Sequence, residues 1–390
     1  MQKGIKSMFY DDEIQNLKTI DNYRQIYNIQ KKSGKYIFID NRKLLNLSSN
    51  DYLGLSTNKD LLKEFINSKL DDDEFLFSSA SSRLLTGSSS IYNRLEENIA
   101  KRFKKEKALL FNTGYQCNLG VISSLAKPDD IIFSDKLNHA SIIDGIKLSN
   151  AAFYRYKHLD YEHLKSLLQK YRNKYKSAFI ISESIYSMDG DIADINILID
   201  LKKKYNCTLI VDEAHAFGVY GENLCGYFEN NLDDIDIITA TFGKALASQG
   251  AFAVGNKNII NFLTNKARSF IFSTAVPSAS IMWIDWLLSE KFKTLKIQQQ
   301  LLQLLIKKIE IYINDIKITN SKTQIIPIII GNNENTINIS KILFDNNILA
   351  LPIRTPSVPP NTARLRISLN PNIEFQEIKK VFDIILKEKN

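Results

Sequence analysis

Lys244 stands just past a short apolar run, Ile235-Asp236-Ile237-Ile238-Thr239, that reads as a buried strand. Upstream, a second apolar run ends in Val211-Asp212-Glu213-Ala214-His215, a carboxylate with a histidine three residues on. Asp212 and Lys244 are 32 positions apart (244 − 212), about one strand-helix-strand unit. Such a unit brings both side chains to the carboxyl edge of a parallel sheet, where α/β proteins place their sites. A lysine that forms a Schiff base and a carboxylate that pairs with a pyridinium nitrogen are what pyridoxal phosphate (PLP) chemistry requires. Taken singly, each has a commonplace reading. A glycine-lysine pair is usually a solvated lysine, and an aspartate after a strand usually caps a helix.

Four more features join the set. Leu109-Leu110-Phe111-Asn112-Thr113-Gly114-Tyr115 reads as a strand, a tight turn and a helix start. The free first amides of such a helix and its dipole favour a phosphate dianion, and Gly114 lets the backbone come close. His139, in Asn138-His139-Ala140-Ser141, follows the Ile131–Ser134 run. A histidine there can stack on a pyridine ring and relay protons. Of the four histidines, both His139 and His215 fall at strand ends. Ser182, Glu183 and Ser187 close the Ala178–Ile181 run, offering hydroxyls and a carboxylate at the same edge. Arg364 and Arg366 lie two apart on a strand-like run and so share a face. Arginine grips a carboxylate bidentately, and an amino-acid substrate carries one.

The elements that must hold these residues alternate. Residues 1 to about 33 read as an amphipathic helix with Ile14, Leu17, Ile20, Tyr23 and Tyr27 on one stripe. Tyr36–Asp40 and Lys43–Leu47 read as two short strands around a turn. Seven apolar runs follow with helical stretches between them: 107–112, 131–134, 152–156, 178–182, 208–212, 235–239 and 250–254. That is the pattern of an α/β fold with a mostly parallel seven-stranded sheet sandwiched by helices. A long helix is expected from about 281 through Trp283, Trp286 and Gln298–Leu305. A smaller α+β segment with strands at 324–330 and 363–369 should follow. The domain reading is an N-terminal segment 1–45, a large domain 46–280 and a small C-terminal domain 281–390.

Composition narrows the function classes. The 390 residues are 44% hydrophobic and 24% charged, enough for two or three cores. Cys117, Cys207 and Cys225 form no CxxC pair and no even framework, which fits a reducing cytoplasm, and no metal site is expected. The first residues lack an apolar signal core, and no apolar run nears the ~18 residues of a membrane span. The net charge of +8 is spread along the chain rather than clustered, so no nucleic-acid role is expected. It would attract an acidic acyl carrier or a phosphate-bearing thioester.

At this point the motifs carry a resemblance. Ser49-Asn50-Asp51-Tyr52-Leu53-Gly54, Ser82-Arg83-Leu84-Leu85-Thr86-Gly87, Leu137-Asn138-His139, Tyr186-Ser187-Met188-Asp189-Gly190-Asp191, Val211-Asp212-Glu213-Ala214-His215, Thr241-Phe242-Gly243-Lys244 and Thr362-Ala363-Arg364-Leu365-Arg366 stand in family order over essentially the whole chain. Together they resemble the α-oxoamine synthases, fold type I PLP enzymes that condense an amino acid with an acyl thioester. Phe272–Pro277 and Ile353–Arg366 most resemble the member of the biotin route. That member joins L-alanine to a pimeloyl thioester, carried on coenzyme A or an acyl carrier protein, with loss of CO2.

The resemblance implies roles residue by residue. Lys244 would hold PLP and act as the base at Cα. Asp212 would pair with the pyridine nitrogen, His215 would sit near the phenolic oxygen, and His139 would stack on the ring. Gly114, Tyr115, Ser187 and Thr241 would face the cofactor, with Thr241 near the phosphate and Thr274 reaching it across a homodimer interface. Asn50 and Arg366 would hold the alanine carboxylate, and Arg24 and Ser357 match positions that contact substrate. Two departures stand out. The glycine-rich stretch usual before Ser82-Arg83 is Ser78–Ser82 here, and Tyr92 replaces a histidine. A sister synthase using glycine or serine is the nearest rival. A non-catalytic regulator on the same fold would be expected to lack Lys244 or Asp212.

Overall fold

The computed structural model describes residues 5–389. The chain forms two compact units. One comprises Asn58–Ser187 and Asp191–Gln300, the other the chain up to Thr57, Met188–Gly190 and Leu301 onward.

The first unit is built on a seven-stranded sheet. From edge to edge its strands are Lys107–Phe111, Ala251–Gly255, Ile237–Thr241, Thr208–Asp212, Ala178–Glu183, Ile131–Asp135 and Ala152–Tyr156. All seven apolar runs are strands. Ala251–Gly255 alone runs antiparallel to its neighbours, while the other pairings are parallel. It is buried at every position like the central parallel strands. Its apolar run therefore carries no sign of direction. The edge strand Ala152–Tyr156 alternates between more and less exposed positions, as a one-sided strand should.

Helices cover both faces. Against one face pack Val121, Ile122, Ile142, Ile146 and Leu263, meeting Leu109, Ile132, Ile181 and Ile210 of the sheet. The opposite side holds an aromatic cluster in which Phe252 meets Phe103 at 5.2 Å and Phe217 at 5.1 Å, both edge to face. Burying each such ring stabilises the fold by roughly 1.5–3 kcal/mol. Side-chain caps begin the helices that leave the sheet. Thr113, Asp160 and Asp194 each accept a backbone amide of the first turn.

The second unit holds two small sheets. Lys31–Ser33, Tyr36–Ile39 and Arg42–Asn46 form an antiparallel meander with Ile348–Leu349 added in parallel. The meander's second turn puts Asp40 and Asn41 in the left-handed region (φ 47° and 60°), a conformation these two residue types tolerate. Ala363–Ser368 is the fully buried central strand of a three-stranded antiparallel sheet, flanked by Ile325–Gly331 and Pro352–Ile353. Gly190 lies beside that sheet with φ +67°. A Cβ there would come within 2.3 Å of the Ile325 carbonyl oxygen, so only glycine fits.

Two helix readings need correction. The N-terminal helix is Ile5–Thr19, not a run to about residue 33. It ends where Asp21 turns left-handed (φ 52°) and the Asn22 amide reaches back to the Leu17 carbonyl. Ile20, Tyr23 and Tyr27 of the supposed stripe lie beyond it and are exposed. The long helix from about 281 is two helices, Ser278–Ser289 and Phe292–Ile316. Between them the Lys291 amide bonds to the Trp286 carbonyl, five residues back, which breaks the helical register. Among the described residues, no helix is long and apolar enough to cross a membrane.

Candidate active site

In the first unit, the carboxyl ends of neighbouring parallel strands carry Asp212, Glu183 and Thr241, and the loops beyond them carry His139, His215 and Lys244. Lys244 is half-buried, and its Nζ lies 2.9 Å from His215 Nε2. His215 is buried, as is Asp212 at 7% exposure. Both Asp212 oxygens are occupied. Oδ1 accepts the Ala214 amide at 2.8 Å and Oδ2 accepts Asn118 Nδ2 at 2.7 Å. Both of these donors are neutral.

Asn118 is the residue that sequence reasoning missed. It sits on the buried face of helix Gly114–Leu125. Its Oδ1 accepts Thr239 Oγ1 at 2.8 Å, and its Nδ2 also reaches Ser141 Oγ at 3.1 Å. Ser141 Oγ in turn lies 2.8 Å from His139 Nδ1. The one available signal was a polar residue inside an otherwise apolar or small helical stretch, Cys117 to Val121. Nothing in the spacing shows that it meets a carboxylate 94 positions away.

His139 caps helix Ala140–Ser149, and its own amide donates to Glu183 Oε1. Solvent reaches part of the ring, yet enough protein surrounds it that desolvation lowers its basicity. The Lys244 charge adds to this and Asp212 opposes it. Glu183 is 2% exposed, and burial pushes its carboxyl up to about 8, with the Asp212 charge adding to the shift. Tyr115 presents its ring edge to His139 at 6.3 Å and donates its hydroxyl proton to Asp144. Gly114 opens its helix against Thr241, where an added Cβ would sit 3.3 Å from Thr241 Cβ. Thr241 Oγ1 donates to the Gly250 carbonyl at 3.0 Å and accepts the Gly243 amide at 3.1 Å.

Ser187 lies in the loop after Ala178–Glu183. That loop is closed by the Ile185–Ile192 bridge and by the Tyr186 amide on the Asp191 carbonyl at 3.0 Å. His158 holds it from outside, with Nδ1 2.9 Å from the wholly buried Asp135 and Nε2 3.2 Å from Asp191. Burial works against a charge on His158, but the two carboxylates outweigh it and raise its pKa to about 9. The folded value lies above the ordinary value near 6.5, so this stabilisation is complete below about pH 6.5 and is lost as pH rises through about 9. His158→Gln should cost about 3 kcal/mol at about pH 6 and clearly less at about pH 9 in urea unfolding. An equal loss at both pH values would contradict the ion pair.

Thr274 is exposed and pairs with Ser82 in an isolated bridge, and its carbonyl accepts Asn112 Nδ2 at 2.6 Å. The Ser78–Ser82 loop forms without glycine by putting Ala80 at φ 50° and capping its amide with Ser78 Oγ. Tyr92 is buried, with its hydroxyl on the Val276 carbonyl and Arg83 4.4 Å above its ring, a packing role.

The second unit brings together Arg366 and Asn50. Arg366 is 7% exposed and donates to Ser368 Oγ and Tyr52 Oη, each at 2.8 Å. The wholly buried Tyr52 passes its own proton to Asn50 Oδ1 at 3.1 Å. Tyr52 is the second residue the sequence reading left without a role. Arg364, by contrast, is committed to an ion pair with Asp189. Arg24 donates to the Thr355 carbonyl at 2.8 Å, and the Ser357 amide closes a turn on the Arg354 carbonyl.

A family model described as aminotransferase class I and II matches residues 42–385. A Haemophilus influenzae protein provisionally named 8-amino-7-oxononanoate synthase is 44% identical over 377 residues, covering 95% of this chain and 98% of its own. The crystal structure of 8-amino-7-oxononanoate synthase from Francisella tularensis superposes with a TM-score of 0.74 at 30% identity, over 88% of this chain and 97% of that one. A serine palmitoyltransferase from S. paucimobilis, solved with a PLP–myriocin adduct bound, superposes with a TM-score of 0.88 over 99% of this chain and 98% of that one. At 23% identity it speaks to the fold alone. The mostly parallel seven-stranded sheet under helices is the fold type I transferase architecture. On family model, sequence identity and fold alike, the chain belongs to the aminotransferase class I and II family, in its α-oxoamine synthase branch.

Proposed function

We propose that the chain is a PLP-dependent C-acyltransferase with the 8-amino-7-oxononanoate synthase activity of the biotin route. It would join L-alanine to a pimeloyl thioester of coenzyme A or acyl carrier protein. The observation that carries this reading is the near full-length likeness to relatives of that name in a chain that sets Lys244 beside His215 and buries Asp212 behind Asn118. The net reaction forms a carbon–carbon bond from alanine Cα to the acyl carbonyl carbon. It breaks the carbon–sulfur bond and the bond to the alanine carboxyl carbon, releasing thiol and CO2 with uptake of one proton.

The donor set suits PLP. A buried carboxylate whose two oxygens are held by the neutral Ala214 amide and Asn118 Nδ2 suits a protonated ring nitrogen. The backbone approach at Gly114 against Thr241, which an added Cβ would crowd, matches a phosphate at a helix start. Bound there, PLP would supply a sink for the electron pair left at Cα.

The chain's own residues do the rest. Lys244 Nζ takes the Cα proton and returns one to the same carbon after CO2 leaves. His215 Nε2 orients that amine from 2.9 Å. Asn118 and the Ala214 amide fix both Asp212 oxygens, and Asp212 would pair with the ring nitrogen. Arg366, aimed by Tyr52 and Ser368, and Asn50 bind the alanine carboxylate. Arg24 and Ser357 contact substrate, and Gly114, Tyr115, His139, Ser187, Thr241 and Thr274 line the cofactor. We assign the enzyme to the cytoplasm and to a homodimer. Exposed Leu84, Leu85 and Phe272 around a cavity of about 440 Å³ beside Thr274 support an apolar face for a second copy to bury.

Thiol release from pimeloyl-coenzyme A with L-alanine, glycine or L-serine tests the reading. Alanine should give the highest kcat/KM, and a faster rate with glycine or serine would move the chain to a sister activity. Arg366→Lys should raise the KM for alanine about 10- to 100-fold with a smaller change in kcat, because lysine loses the bidentate grip. An unchanged KM would remove Arg366 from substrate binding.

A further inference from the structure

Asp212 sets the direction of a hydrogen-bond chain through the buried interior. A carboxylate only accepts, so the group 2.7 Å from Asp212 Oδ2 must be the Asn118 amide nitrogen, and Asn118 Oδ1 must then accept from Thr239 Oγ1. The same Asn118 nitrogen donates to Ser141 Oγ at 3.1 Å. Ser141 has one hydroxyl proton to give, and among the described residues its other side-chain partner is His139 Nδ1 at 2.8 Å. The Ser141 backbone amide also points at that nitrogen, at 3.2 Å. Two donors on one ring nitrogen require a lone pair there. Asn118, Ser141 and Thr239 are all buried, so water does not compete for these protons.

We infer that Asn118 and Ser141 are positioning residues that lock His139 as the neutral imidazole with its proton on Nε2. His139 therefore offers a hydrogen-bond donor at Nε2 rather than a base, and it can gain a proton at Nδ1 only by turning Ser141 and breaking the chain. The charged and titratable groups that act on His139 are Asp212, Lys244 and Asp144, with Glu183 on its amide and the Tyr115 ring against it. Their net effect with desolvation is to lower its basicity, in the same direction as the lock. The consequence for catalysis rests on the proposed reaction, but the tautomer does not.

The test is ¹⁵N spectroscopy of the full chain with labelled histidine, with and without PLP, with His139 assigned by His139→Asn. Wild type should show an unprotonated Nδ1 and a protonated Nε2 at neutral pH, and should titrate below an ordinary histidine. Ser141→Ala and Asn118→Ala should each give a mixture of tautomers and a raised His139 pKa, with kcat/KM about tenfold lower in the active enzyme, and Ser141→Thr should restore the single tautomer. A proton on Nδ1 in wild type would overturn the inference, as would an unchanged tautomer in folded Ser141→Ala. If the tautomer is as stated but alanine is not a substrate, the proposed reaction fails and the lock stands.

Discussion

Lys244→Ala will have no measurable turnover and will not retain PLP covalently. Wild type treated with PLP and borohydride should carry the reduced cofactor on the peptide holding Lys244, and the variant should carry none. The size of the loss follows from the geometry. Lys244 Nζ is the amine held 2.9 Å from His215 Nε2. Losing a positioned general base costs about 10² to 10⁴ in rate, and here the attachment point goes with it. The side chain is half-buried, so truncation should leave folding intact, checked by an unfolding transition within a few degrees of wild type. Near-wild-type turnover would end the account.

Asp212→Asn has the next largest expected effect, a fall in kcat/KM of about 10³-fold or more. The exchange preserves size but removes the charge that would keep the ring nitrogen protonated. It also puts a new amide between two donors, Asn118 Nδ2 and the Ala214 amide. One of the three N–H groups is then left facing another, at about 1–3 kcal/mol. PLP affinity should weaken as well, measurable by titrating the absorbance of the apoprotein. The KM for the thioester should change little, since Asp212 has no part in binding it. Unaltered kcat/KM in a folded variant would show that the cofactor's nitrogen does not need this carboxylate.

The sheet was legible in the sequence because strands covered on both faces read as unbroken apolar runs, and all seven are strands. The reversed direction of Ala251–Gly255 was not legible, because direction leaves no trace when both faces are buried. The N-terminal helix was overread for a related reason. Ile20, Tyr23 and Tyr27 have helical spacing, but spacing does not reveal that Asp21 turns the chain. Among the proposed site residues, the placement of Asp212, His139 and Lys244 at or just past strand ends was legible, since each stands out by residue type at a predictable edge. Asn118, Ser141 and Tyr52 were not. Asn118 and Tyr52 act on partners distant in sequence, Asp212 and Arg366, and Ser141, though two residues from His139, is oriented by the distant Asn118; only the folded chain brings these pairs within 3.1 Å. Asn118 lies on the buried face of its helix, and the 3.6-residue period of a helix does not tell what such a face is buried against.

The most direct measurement is the absorbance of the purified chain with PLP, before and after L-alanine and then pimeloyl-coenzyme A. The account predicts a visible band that Lys244 is needed to form, a shift with L-alanine larger than with glycine or L-serine, and CO2 release from alanine only after the thioester is added. A chain that develops no such band, or one that releases CO2 from alanine at the same rate without thioester, would contradict it.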